Sequence, residues 1–171
     1  NLQSILIARE NVPDGILYSS EESHYSIFKA AKFYRMEAVS IKTSWDGCIK
    51  LDELRHEISK RLDKPVIINV NIGTTVKGAV DNLDGVLGVL KQLGVPRSKF
   101  YIHCDGALFA LILPFLNLEN KLTVDFEKDI DSIAVSGHKF LGCPMPCGIM
   151  ITRKKLMEPL FEPVEYLNSV D

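Results

Sequence analysis

Three polar segments stand at the ends of apolar runs, and together they hold the residue types needed for carbonyl chemistry. The first is Ser136-Gly137-His138-Lys139, which closes the short apolar run 133–136. A lysine held in a partly desolvated pocket keeps its neutral, nucleophilic form and can condense with a carbonyl. Taken singly, a lysine beside such a run snorkels to solvent. Its neighbours change that balance, because Ser136 and His138 can both meet a phosphate and Gly137 frees the backbone. The second segment is Asp105-Gly106-Ala107, at the end of the run 100–104. A carboxylate there is costly to bury without a partner. Gly106 lets another group approach the backbone, and Ala107 is small enough to sit against a flat ring. The plainer reading is an Asp that caps a helix starting at Ala107. The third segment is Ser19-Ser20-Glu21-Glu22-Ser23-His24-Tyr25-Ser26. His24 is either an exposed residue in the first turn of a helix or an aromatic plate on the ring face opposite Ala107. An organic electron sink needs a carboxylate on its ring nitrogen and an amine on its carbonyl carbon. Asp105 and Lys139 supply these two groups from separate strand ends.

The elements that must position these residues follow from hydrophobic spacing. Residues 66–72 and 100–104 are short apolar runs rich in β-branched and aromatic side chains, which predicts buried strands. Residues 16–19, 38–41, 133–136 and 148–152 predict four more. Helical spacing recurs between them, over 24–34, over 51–62 after the turn Trp45-Asp46-Gly47, and over 83–93 with Gly94 as C-cap. Residues 2–9 read as the tail of a helix that begins upstream. Strand and helix in alternation predict an α/β domain with a mostly parallel sheet. Ligands of such sheets sit beyond the carboxyl ends of the strands.

Length and composition set limits. The chain has 171 residues and a formal net charge of -2, which suits one domain and gives no electrostatic footprint for nucleic acid or an anionic membrane. No apolar run is long enough to cross a bilayer. The four cysteines, Cys48, Cys104, Cys143 and Cys147, read as reduced thiols. Cys143 and Cys147 flank Pro144-Met145-Pro146, and no further ligands cluster with them, so no metal is expected. The start Asn1-Leu2-Gln3-Ser4-Ile5 lacks the pattern of a signal peptide, and a cytoplasmic fragment of a longer protein is the expectation.

Four segments resemble the group II pyridoxal-phosphate (PLP) dependent amino-acid decarboxylases, above all their branch of plant serine decarboxylases and histidine decarboxylase-like proteins. They are Ser23-His24-Tyr25-Ser26-Ile27-Phe28-Lys29-Ala30-Ala31, Asn71-Ile72-Gly73-Thr74-Thr75, His103-Cys104-Asp105-Gly106-Ala107, and the long segment from Ser136-Gly137-His138-Lys139-Phe140 to Cys147-Gly148. The resemblance implies the large domain of the fold type I (aspartate aminotransferase) PLP enzymes, partial here. Residues 1–153 would form that domain, truncated on its N-terminal side, and residues 154–171 would begin the connection to a small C-terminal domain.

It also implies roles. Lys139 would hold PLP as a Schiff base, and Asp105 would pair with the pyridine nitrogen. His24 would stack on the ring near the substrate carboxylate, with Ala107 on the other face. Ser136 and His138 would contact the phosphate, and Thr75 would sit near the ring's oxygen substituent. The implied reaction is decarboxylation of a small L-amino acid to its amine, serine to ethanolamine first and histidine to histamine second, by a homodimer when full length. The resemblance places a phosphate-binding turn just before Asn1 and a catalytic loop after Asp171, so a non-catalytic truncated copy is a further reading. A desulfurase or transaminase on the same scaffold is weaker, since no mobile cysteine loop is evident. A nicotinamide-binding domain is weaker still, since no Gly-x-Gly-x-x-Gly follows a strand.

Overall fold

A computed structural model describes residues 1–116, 123–164 and 169–170. The chain runs α1 (Leu2–Asn11), β1 (Ile16–Ser20), α2 (Tyr25–Phe33), β2 (Ala38–Ile41), α3 (Leu51–Ser59), β3 (Val66–Asn71), α4 (Leu83–Gln92), β4 (Phe100–Asp105), β5 (Ser132–Ser136) and β6 (Gly148–Thr152). These strands form one six-stranded sheet in the order β2-β1-β3-β4-β5-β6. Every neighbouring pair is parallel except β5 with β6. This is the expected α/β architecture with a mostly parallel sheet flanked by helices.

Alternation along the strands sorts the side chains onto two covered faces. Leu17, Ile67 and Tyr101 face one way and pack with Ile5 and Ala8 of α1 and Ile27, Ala30 and Ala31 of α2. Tyr18, Ile68 and Ile102 face the other way, against Leu54 and Ile58 of α3 and Leu83, Val86 and Leu90 of α4. Both faces are buried, which is why β1, β3 and β4 read as unbroken apolar runs rather than alternating ones.

Element ends follow local chemistry. The α4 helix stops where Gly94 takes φ +66. Val95 N–H then reaches Leu90 C=O and Gly94 N–H reaches Lys91 C=O, the paired bonds of a Schellman cap. The α3 helix ends at Ser59, three residues short of the expected 62. Residues 60–64 tighten into turns before Pro65, whose ring disfavours helix in the residue before it, and Leu62 is left exposed. His24 is the N-cap of α2 rather than a residue inside it, and its ring nitrogen accepts from Ser26 N–H.

The strand that ends in Asp105 and the strand that leads to Lys139 are clamped together. Asp131, just before β5, accepts from Ile102 N–H at 2.8 Å and pairs with the Arg97 guanidinium. Burial pushes the Asp131 carboxyl up, and these bonds oppose that shift. Beyond β6, residues 156–160 stay on this body. Asn11 Nδ2 donates to Leu156 C=O at 2.7 Å, and Leu156, Met157 and Leu160 pack on the α1–α2 layer.

Candidate active site

The carboxyl ends of β1, β3, β4 and β5 open on a cavity of about 180 Å³, lined by His24, Asn71, Gly73, Thr74, Thr75, Asp105, Ala107, Leu108 and Lys139. Five of the seven residues singled out in the sequence therefore meet at one place: His24, Thr75, Asp105, Ala107 and Lys139. They come from loops far apart in sequence, and the parallel sheet brings them to one edge.

Asp105 is 6% exposed. One carboxylate oxygen accepts from Ala107 N–H at 3.3 Å and the other from Asn1 Nδ2 at 2.8 Å. The carboxylate closes its own turn and also lines the cavity, but residues 107–112 form turns rather than the helix that the capping reading expected. Gly106 is required by close packing. A Cβ there would lie 2.3 Å from Ala110 Cβ and 3.3 Å from Ala134 C=O. The group that approaches is the protein's own chain, for Gly106 N–H donates to Ala134 C=O and ties the Asp105 loop to β5.

Lys139 is exposed and borders the cavity. Its backbone N–H turns back to Ser136 C=O at 3.1 Å. Gly137 is closely packed, because a Cβ there would meet Cys147 Sγ at 3.1 Å and Cys143 Sγ at 3.3 Å. All four cysteines are free thiols. Ser136 and His138 are not among the cavity-lining residues. The Nδ1 of His138 is engaged by the Cys147 backbone, accepting from its N–H at 2.9 Å, so Nε2 is the ring nitrogen left for another partner. Among the described residues no cluster of three or more His, Cys, Asp or Glu could hold a metal, and no described helix is long and apolar enough to cross a membrane.

Two groups of site residues escaped the sequence reading. The first is a buried polar web under the cavity. Asn69 Nδ2 donates to Ser19 Oγ, and Asn71 Nδ2 donates to Ser20 Oγ and to Asp81. Asp81 also accepts the backbone N–H groups of Ile49 and Asn71, each at 2.7 Å. Burial raises the Asp81 carboxyl against these bonds. The signal was present, because two amides alternate inside the apolar run 66–72 and so share one face of a buried strand.

The second is His103, fully buried two residues before Asp105. Its Nδ1 meets Ser132 Oγ and its Nε2 meets Asn1 Oδ1, both at 2.9 Å. Burial drives its pKa down from 6.5 to about 4, with the Asp105 charge opposing. The folded ring is therefore neutral where an unfolded one takes up a proton. Stability is full above about pH 6.5 and is lost progressively as pH falls toward 4. We expect a loss of ~2 kcal/mol on going from pH 7 to pH 5, read from denaturant midpoints, and a shallower slope in His103→Asn.

The site offers a carboxylate, an amine and an imidazole around one small cavity whose wall includes the methyl of Ala107, a donor set that fits a flat, nitrogen-containing aromatic aldehyde. Comparison with known proteins agrees. The family described as "Pyridoxal-dependent decarboxylase conserved domain" matches residues 9–171. Serine decarboxylase 1 of Oryza sativa subsp. japonica is 55% identical over 171 residues, covering 100% of this chain and 35% of that protein. Histidine decarboxylase of Solanum lycopersicum is 52% identical over 163 residues, covering 95% of this chain and 39% of that protein. The chain thus spans roughly a third of the length of these relatives. Among solved structures, mouse CSAD in apo form superposes with a TM-score of 0.74 at 23% identity, over 93% of this chain and 36% of that one. L-methionine decarboxylase from Streptomyces sp.590 gives 0.73 at 22%, over 91% and 49%. With the fold matched by the structures and nearly the whole sequence matched by the family, the chain belongs to the pyridoxal-dependent decarboxylases.

Proposed function

We propose that this chain is the cofactor-binding part of a PLP-dependent decarboxylase that converts L-serine to ethanolamine and CO2. The observation that carries the reading is the convergence of Lys139, Asp105, His24 and Ala107 on one cavity at the strand ends. PLP, when bound, supplies an electron sink for the pair left behind as CO2 departs. Lys139 Nζ, which borders the cavity, would hold the cofactor through its carbonyl carbon. Asp105 would keep a proton on the pyridine nitrogen, and its bonds to Asn1 and Ala107 fix the carboxylate for that task. Ala107 and His24, both lining the cavity, would take opposite ring faces, with His24 near the substrate carboxylate. Thr75, also in the cavity lining, would sit by the ring oxygen. Ser136 and His138 would hold the phosphate beyond the lining of this cavity, His138 through the Nε2 that Cys147 leaves free. The 55% identity to a serine decarboxylase favours serine, and the 52% identity to a histidine decarboxylase makes histidine the second reading. A second copy of the chain is the expected partner, and the exposed Phe140, Leu141 and Met145 beside Lys139 offer it apolar surface.

Product analysis decides. The whole protein with PLP is given serine and histidine in parallel, each labelled at the carboxyl carbon. Equal amounts of ethanolamine and labelled CO2 are expected. Histamine without ethanolamine would transfer the assignment to histidine. Alanine or a keto acid with no labelled CO2 would overturn decarboxylation.

A further inference from the structure

We propose that Ser26, anchored by Asn1, is a positioning residue that fixes His24 as its Nε2–H tautomer, so that this ring presents a hydrogen-bond donor to the substrate's carboxylate. The proposal rests on the decarboxylase reading only for the identity of that acceptor. The tautomer itself follows from a chain of hydrogen bonds whose direction is set at one end.

A carboxylate can only accept, so the Asn1 atom 2.8 Å from Asp105 must be the amide nitrogen. The Asn1 oxygen then faces His103 Nε2 at 2.9 Å, and that nitrogen carries the proton. His103 Nδ1 in turn accepts a hydrogen bond from the Ser132 hydroxyl. The same Asn1 nitrogen donates its second hydrogen to Ser26 Oγ at 2.9 Å. Ser26 Oγ receives that bond on a lone pair, which leaves its one hydrogen free. The nearest acceptor is His24 Nδ1, at 2.7 Å. Ser26 N–H points at the same nitrogen from 3.3 Å. Two donors converge on His24 Nδ1, so the ring proton resides on Nε2. His24 lines the cavity, and Nε2–H is the ring's only remaining donor. One side chain, Asn1, thereby sets both the Asp105 carboxylate and, through Ser26, the His24 ring.

Long-range nitrogen–proton NMR on the whole protein with labelled histidine, without PLP and at neutral to alkaline pH, reads the tautomer directly. The expected spectrum has His24 Nδ1 unprotonated and Nε2 protonated. Ser26→Ala is expected to convert it to a mixture of tautomers and to lower kcat about tenfold, ~1.4 kcal/mol, with PLP still bound. Ser26→Thr, which keeps the hydroxyl, is expected to restore both. A protonated Nδ1 in the unsubstituted protein would overturn the proposal, and so would an unchanged tautomer in Ser26→Ala. Neither result touches the decarboxylase assignment, which fails separately if no labelled CO2 appears while the tautomer is as stated.

Discussion

Asp105→Asn is expected to lower kcat of the whole protein by about a thousandfold while PLP stays bound. The substitution keeps the size and most of the hydrogen bonding, because one oxygen remains to accept from Asn1 or from Ala107 N–H. What it removes is the negative charge. Two opposite charges about 4 Å apart attract by ~4 kcal/mol at the effective dielectric of a protein surface, and ~4 kcal/mol is about a thousandfold in rate. An amide cannot hold a proton on the pyridine nitrogen, so the ring would bind and yet fail to draw electrons. Parallel measurement of kcat and of PLP affinity checks this. Equal losses in the two would mean that Asp105 serves to hold the cofactor rather than to tune it.

Lys139→Ala is expected to abolish both turnover and the borohydride-reducible bond to PLP. Among the described lysines, Lys139 is the one that lines the cavity. Lys77 lies on a loop near the cavity, but its amine pairs with Glu22 Oε1 at 2.9 Å and is committed to that contact. Loss of the covalent anchor removes the pre-placed leaving amine as well, so residual activity should fall to background even at saturating PLP. Absorbance titration and trapping with borohydride read the bond, and product assay reads turnover. A reducible adduct persisting in Lys139→Ala would remove this residue from the centre of the site.

Much of this was legible in the sequence, and the reasons are local. Strands buried on both faces must be continuous apolar runs, so β1, β3, β4 and β5 could be placed to within about a residue. The polar ends of those runs then carried His24, Asp105 and Lys139, because a parallel sheet gathers the loops at its carboxyl edge. Less legible were features set by tertiary contact. The end of α3 was masked because Leu62 continues the helical spacing although it is left 47% exposed. The place of His138 depends on the Cys147 backbone, brought back by the antiparallel β6. Gly137 looked like backbone freedom and instead packs against two thiols, whereas Gly106, read as a point of close approach, is closely approached by Ala110. Asn1, Ser26 and His103 carried no signal at all as single residues. Their meaning lies in mutual hydrogen bonds that span about a hundred positions of sequence.

The most direct test of the central claim is the location of the cofactor. The whole protein is loaded with PLP, reduced with borohydride, digested and mapped by mass spectrometry. The expected result is one pyridoxyl-phosphate mass addition, on the peptide that contains Ser136-Gly137-His138-Lys139. Labelling confined to Lys77 or to any other lysine, or no labelling at all, would contradict the assignment of this cavity as the cofactor site.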